Sequence, residues 1–298
     1  MPDRSTVKNG SSRPPFVQGP AYRSDGSFEG LLCCVYESVY SHMLPQEVVC
    51  EADAQPSLFG EVAVRTQPEK AARVFASIAR KIGPAAEELV RDTYFSCAPG
   101  RELLVLRFLH FGYRTGKSAP YMLSHPAVAP LVAAQKFLRN EAHLTLEFLR
   151  FEDTGEALVA VIEPQNFVLP YIAHHFCTRF ACEKLLIWDK THAAALVWQN
   201  GTARIVPLEG LALPPESAQE AQFKALWKQF YNTIAIAARE NPVCRRTHCP
   251  KRYWAHMTEL QDMPGVQRTG AARMPAREKP ALAGGTKARE RRGPEWTL

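Results

Sequence analysis

Apolar residues recur at spacings of three and four over the first half of the chain, the pattern of amphipathic helices. Ser27 can cap a helix over residues 28–40, with Leu31, Leu32, Val35 and Val39 on one face. Pro68 suits the first turn of a second helix. Its stripe is Ala71, Val74, Phe75, Ile78 and Ile82, and Gly83-Pro84 stops it. Further helices are predicted over 85–97, 101–113 and 128–143, with a loop at 116–120. Short strands are predicted at 48–50 and 61–66. Beyond residue 144 the pattern changes. Residues 146–152 read as a strand, Asp153-Thr154-Gly155 as a turn, and 157–162 as a buried strand. A helix over 167–180 and a strand over 185–188, ended by Asp189, follow. Asn200-Gly201 between two apolar runs signals a hairpin. Ser217-Ala218-Gln219-Glu220 is a capping box. The helix it opens carries Phe223, Leu226, Trp227, Phe230, Tyr231 and Ile234 on one side, and stops before Asn241-Pro242. The expected fold class is α+β: a helical block plus an antiparallel sheet with packed helices, in one two-lobed domain.

Composition fits a globular chain, with 46% hydrophobic and 22% charged residues among 298. The net charge of +6 invites a nucleic-acid reading. Its location weakens that reading. Residues 1–21 carry +2 and residues 262–298 carry +4, which is the whole excess. Both ends are rich in Gly, Pro and Ser and poor in periodic apolar residues, so they are expected to be disordered. The domain is expected to span 22–261, with 262–298 a basic tail. No apolar signal segment or membrane span is found, which points to the cytoplasm. The eight cysteines show no disulfide spacing and are expected to be free thiols.

No phosphate-binding glycine loop, Gly-x-Ser-x-Gly elbow or Cys-x-x-Cys is present. The best functional stretch is residues 239–254. Arg239, Arg245, Arg246, Lys251 and Arg252 stand against Glu240 alone, with Tyr253 and Trp254 among them. Guanidinium groups pair with phosphates and aromatic faces stack on bases. A solvated basic face with Tyr253 and Trp254 in the core is the competing reading. Cys177, Cys182, Cys244 and Cys249 lie near His174, His175 and His248, ligand types that suit zinc. Four intervening residues on a helix put each thiol pair on different faces, so no metal is assigned. One of His174 and His175 should face the core, and His175 is a weak candidate acid or base. Glu163 and Asp189 end two strands, and could meet as a carboxylate pair at one sheet edge. Asp25 and Ser27 read as turn and cap.

Several stretches together resemble one bacterial family. They are Tyr22-Arg23-Ser24-Asp25-Gly26-Ser27-Phe28, Glu141-Ala142-His143, Phe148-Leu149-Arg150-Phe151, Ile187-Trp188-Asp189, Asn241-Pro242 and Pro250-Lys251-Arg252-Tyr253-Trp254. The resemblance is to a DNA metabolism protein family, a domain of unknown function usually encoded beside a radical SAM protein and sometimes fused to a uracil-DNA glycosylase-like domain. It covers residues 22–260. Cys244 and Cys249 stand where the family pattern usually has a glutamine and a methionine. The chain after Asp262 is a short basic tail, so glycosylase activity is not carried over.

What the resemblance implies is DNA repair or modification beside a radical SAM protein, with DNA bound and no membrane involved. S-adenosylmethionine and an iron–sulfur cluster would belong to that partner, and no cofactor is expected in this chain. Two other readings stand beside it: a nucleotide or DNA hydrolase or glycosylase using Glu163, Asp189 or a histidine, and a protein-interaction scaffold without catalysis.

Overall fold

Asp25 and Ser27 build the first helix start. Asp25 Oδ1 accepts hydrogen bonds from the Ser27 N–H (2.9 Å) and hydroxyl (2.7 Å), and Oδ2 accepts from the Thr66 hydroxyl (2.8 Å). Ser27 Oγ in turn accepts from the Gly30 N–H (2.9 Å). Burial alone would raise the Asp25 pKa, but these donors together hold it below the usual carboxylate range. A Cβ on Gly30 would lie 2.2 Å from Asp25 Oδ1, so the motif needs a glycine there. The computed structural model describes residues 17–50 and 60–266. The chain divides into two units. The first runs to Tyr94 and resumes over Ala98–Gln135; the second takes Phe95–Cys97 and residues from Lys136 onward.

In the first unit, β1 (Val17–Gly19), β2 (Ala21–Ser24), α1 (Phe28–Ser41), β3 (Met43–Pro45), β4 (Val48–Cys50) and β5 (Glu61–Ala63) precede the helices α2 (Pro68–Lys81), α3 (Pro84–Phe95) and α4 (Arg101–Thr115). All the ladders here are parallel: β4-β2-β5 as a three-stranded sheet, and β1 with β3. Residues 17–21, expected in a loose end, are instead ordered. Val17 pairs with Met43 and Ala21 is buried, so ladder bonds and apolar burial hold them. The rest of both expected disordered ends, 1–16 and 267–298, lies outside the described residues. Helix α2 buries Ala71, Val74 and Ile78, the stripe read from the sequence. Its end is pressed against α4: a Cβ on Gly112 would lie 2.7 Å from the Ile82 side chain.

Helix α5 (Ala129–Phe148), whose residues from Lys136 on belong to the second unit, leads there into β6 (Glu152–Asp153) and β7 (Leu158–Ile162). Then come α6 (Leu169–Arg179), β8 (Leu185–Asp189), β9 (Ala194–Gln199), β10 (Thr202–Pro207), α7 (Ala218–Ile234) and α8 (Pro242–His248). Of the expected strand over 146–152, residues 146–148 are the end of α5 and Glu152 alone lies in a strand, β6. Leu138, Ala142 and Thr145 are buried at spacings of four and three, and this stripe carries α5 on to Phe148. The five strands pair in the order β10-β9-β8-β7-β6. Three ladders are antiparallel as expected, and β7–β8 is parallel. Helix α6 supplies the crossover that a parallel pair requires. Asn200 (φ 52°) and Gly201 (φ 74°) turn the β9–β10 hairpin with positive φ at both corners. The α+β class holds, with helices concentrated before residue 149 and the larger sheet after it.

In the first unit His110 is 8% exposed, and its Nε2 lies 2.8 Å from Ser38 Oγ. The Ser38 hydroxyl donates to the Met43 carbonyl, so its oxygen accepts from the His110 Nε2–H. Burial holds the His110 pKa at about 4. The unfolded chain, with an ordinary histidine pKa of about 6.5, then takes up the proton first as pH falls. The stability this residue confers is complete above about pH 6.5 and is lost on acidification toward pH 4. Between pH 7 and pH 4 the wild type should lose on the order of 3 kcal/mol more than His110→Gln, measured by denaturant unfolding. Equal losses would remove this assignment.

Candidate nucleic-acid interface

The basic segment at residues 239–254 begins beyond α7 and is anchored by its own apolar residues. Cys249, Trp254, Met257 and Leu260 form a buried cluster, with Phe148, Tyr231, Tyr253, Met263 and Val266 packed against it. Trp254 is 5% exposed, and its indole N–H donates to the Cys249 carbonyl at 2.8 Å. The expectation that Trp254 stacks on a base therefore fails. Burial of its large apolar surface outweighs exposure, and its faces are covered. Tyr253 is half-buried, its ring 5.5 Å from that of Phe148. Burial pushes the Tyr253 hydroxyl pKa up, despite the Arg252 guanidinium 3.1 Å from its oxygen.

Arg252 is pinned from below. Its guanidinium lies 3.0 Å from Oε1 of Glu141, a carboxylate with no solvent exposure. Glu141 also accepts from the Gln165 N–H (3.1 Å), the Asn166 N–H (2.7 Å) and the Asn166 side-chain amide (2.6 Å). Asn166 in turn accepts from the Cys97 N–H at 2.9 Å. Four donors compensate the desolvated charge, as a buried carboxylate requires. Sequence reasoning placed Arg252 on DNA and gave Glu141 no role. The signal was available only as the joint presence of Glu141 and Arg252 in the resembling stretches. Arg245 pairs with Glu240 at 3.1 Å and touches the Met263 sulfur at 3.4 Å. Arg239, Arg246 and Lys251 are exposed. Among the described residues these three make no ion pair, and Lys251 Nζ lies 5.8 Å from the Trp254 ring centre.

Helix α7, which precedes this segment, is turned over relative to expectation. Ser217 caps it, accepting from the Glu220 N–H at 3.0 Å. Its inward face is Glu220, Lys224, Lys228 and Tyr231. Lys224 Nζ meets Glu152 (2.7 Å), Glu216 (2.9 Å) and Glu220 (3.7 Å). Lys228 pairs with Asp262. Burial alone would lower the Lys224 pKa; the hydrogen bonds it donates to Glu152 and Glu216 more than reverse this and raise it. The outward face is apolar: Phe223, Leu226, Phe230 and Ile234 are all more than 50% exposed, and Trp227 is 41% exposed. Trp227 is steadied at its edge, its indole N–H donating to Glu259 at 3.0 Å while Arg150 holds that carboxylate at 2.7 Å. Burial opposes the Glu259 charge, but the Arg150 hydrogen bond and its other donors bring its pKa below the usual range.

The weak catalytic candidates do not assemble. Asp189 is opposite Ile162 in the β7–β8 register. The pleat therefore sends Glu163 to the other face of the sheet. Asp189, fully buried, accepts from the His192 N–H (3.2 Å), and its other oxygen lies 2.7 Å from His192 Nδ1. Glu163 pairs with Lys190 (3.1 Å) and lies 3.5 Å from His256. The expected carboxylate pair is thus corrected to two separate contacts. His174 and His175 are both exposed, so neither faces the core as expected. The α6 residues inside are Leu169, Ile172, Ala173, Phe176 and Cys177. A cleft of about 600 Å³ runs between α7, β7 and residues 255–261, with His256 in its wall. Burial lowers the His256 pKa, with Glu163 opposing. Its cations Arg150, Lys224 and Lys228 all carry carboxylate partners, so the cleft is charge-matched. Among the described residues no group of three His, Cys, Asp or Glu side chains could hold a metal.

A family profile described as a domain of unknown function, DUF4130, matches residues 99–259. That stretch contains Glu141, Asn166, Arg252, α7 and the whole basic segment. No curated protein and no solved structure matches the chain.

Removing one partner of a buried charge cluster typically costs about 3–5 kcal/mol. Glu141→Ala should destabilise the protein by roughly 3 kcal/mol or more, read from urea unfolding, because it orphans the buried Asn166 N–H and side-chain amide and leaves Arg252 without its carboxylate. Arg246→Ala, at an exposed position, should change stability by no more than about 0.5 kcal/mol.

Proposed function

The chain belongs to the DUF4130 family, and on that premise we propose that it is a nucleic-acid-associated partner of a radical SAM enzyme in DNA repair or modification. The observation that carries this reading is the inverted helix α7 beside a basic segment. An aliphatic and aromatic stripe left in water is the mark of a protein-association surface. Phe223, Leu226, Trp227, Phe230 and Ile234 form such a stripe on the face away from the Lys224 and Lys228 ion pairs. Three exposed cations without acidic partners, Arg239, Arg246 and Lys251, follow within seventeen residues of its end. Phosphates are met by side chains of this kind, which position nucleic acid on a surface. The surface supports an accessory role: the chain holds nucleic acid while the partner supplies the chemistry. S-adenosylmethionine and the iron–sulfur cluster belong to that partner in this reading.

Two experiments test the two halves. In a salt titration of DNA binding, log affinity should fall linearly with log salt, and Arg246→Ala and Lys251→Ala should each reduce the slope by about 1. Absence of binding to both single- and double-stranded DNA, alone and with the partner, would remove the nucleic-acid half. In co-purification with the radical SAM protein, Leu226→Asp and Phe230→Asp should abolish association. Both side chains are exposed, so stability should stay within about 0.5 kcal/mol. Retention of the complex by both variants rules the α7 stripe out as the docking face.

A further inference from the structure

The first unit contains a groove of about 630 Å³ between α1, α2 and α4, within the volume range of small-molecule sites. Its charge is one-sided. Helix α2 presents Arg73, Arg80 and Lys81 to it and α4 presents Arg114, while no Asp or Glu lines it. Arg73, Ser77 and Arg80 follow one another at spacings of four and three, so they share a helix face. All four cations are exposed, and among the described residues none is ion-paired. The nearby acid Glu37 is already taken by Lys70 at 2.8 Å. This contrasts with the cleft of the second unit, where each cation has a carboxylate. Four like charges around one groove repel each other, and folding gains nothing from the arrangement unless an anion arrives.

The groove also has aromatic and apolar walls. Tyr36 and Tyr40 on α1 are stacked, with ring centres 4.2 Å apart and planes at 22°. Tyr40 is 58% exposed. On the opposite side Lys81 lies over the Tyr113 ring at 5.4 Å, and the Tyr113 hydroxyl is 2.7 Å from Ser77 Oγ. Val35, Val39 and Val74 also line it. An inorganic anion would use the cations and leave the tyrosines idle. An acidic peptide would offer charge without a planar ring. A nucleotide uses both, because base–aromatic stacking and phosphate pairing act at opposite ends of one ligand.

We propose that this groove binds a phosphorylated nucleotide, free or at the end of a strand, with its phosphate among Arg73, Arg80, Lys81 and Arg114 and its base against the Tyr36–Tyr40 pair. The site lies wholly in the first unit and does not rest on the reading of α7 or the basic segment.

Isothermal titration of the full chain tests it, using dAMP, deoxyadenosine, inorganic phosphate, poly-glutamate, and a short oligonucleotide with either a 5′-phosphate or a 5′-hydroxyl. Either dAMP or the 5′-phosphorylated strand should bind, and its unphosphorylated counterpart at least about tenfold more weakly. Binding by dAMP points to a free nucleotide, and binding by the phosphorylated strand alone to a strand end. Arg73→Ala and Arg80→Ala should each weaken the bound species about fivefold or more. Tyr40→Ala should weaken it while leaving inorganic phosphate unchanged. These side chains are exposed, so melting temperatures check that the variants fold. The proposal is overturned if neither phosphorylated species binds, if both arginine variants bind like wild type, or if inorganic phosphate or poly-glutamate binds as tightly as the nucleotide. An Arg246→Ala/Lys251→Ala double variant should keep the groove's binding in full. Loss of DNA binding there with the groove intact separates this site from the basic segment.

Discussion

The second unit is organised around one buried negative charge. Glu141 sits on α5 with no exposure, and its two oxygens take four donors from two distant stretches of chain. The turn at 165–166 is held by backbone and amide donors, and the 251–256 turn by Arg252. Asn166 passes the connection on to the Cys97 backbone. A carboxylate without water is costly unless every lone pair is matched, so these pieces are fixed together or not at all. Trp254, two residues beyond Arg252, then enters its apolar cluster, and Tyr231 of α7 packs against that cluster. The placement of the basic segment follows from this charge.

Much of the secondary structure was legible in the sequence because it rests on local signals. Ser27 and Ser217 cap helices, Pro68 opens one, and Asn200-Gly201 turns a hairpin, all through interactions within a few residues. What escaped was non-local. The extension of α5 to Phe148 depends on a buried stripe that ran on into residues with strand-like composition. The parallel β7–β8 ladder depends on where α6 returns the chain. The separation of Glu163 from Asp189 depends on strand register, which proximity to strand ends does not reveal.

The candidate sites divide along the same line. Counting charges along residues 239–254 located a basic segment but could not tell that Arg252 was committed to Glu141, or that Arg245 was shared with Glu240. The groove of the first unit is not local in the sequence, because its cations come from α2 and α4 and its tyrosines from α1 and α4. Residues 70–86 carry four cations and no acid, but that Arg114 and the α1 tyrosines line the same groove is set only by folding.

Helix α7 has an amphipathic sequence that is satisfied backwards. Its lysines reach in to carboxylates, and its aromatic residues stand in water. Burial of apolar surface ordinarily ties a helix's stability to the same residues that give it identity. Here those two demands fall on opposite faces. The outer positions are therefore open to change without cost to the fold, while the inner ones are not. Along seventeen residues the chain can vary what it associates with and how firmly it is folded as independent properties.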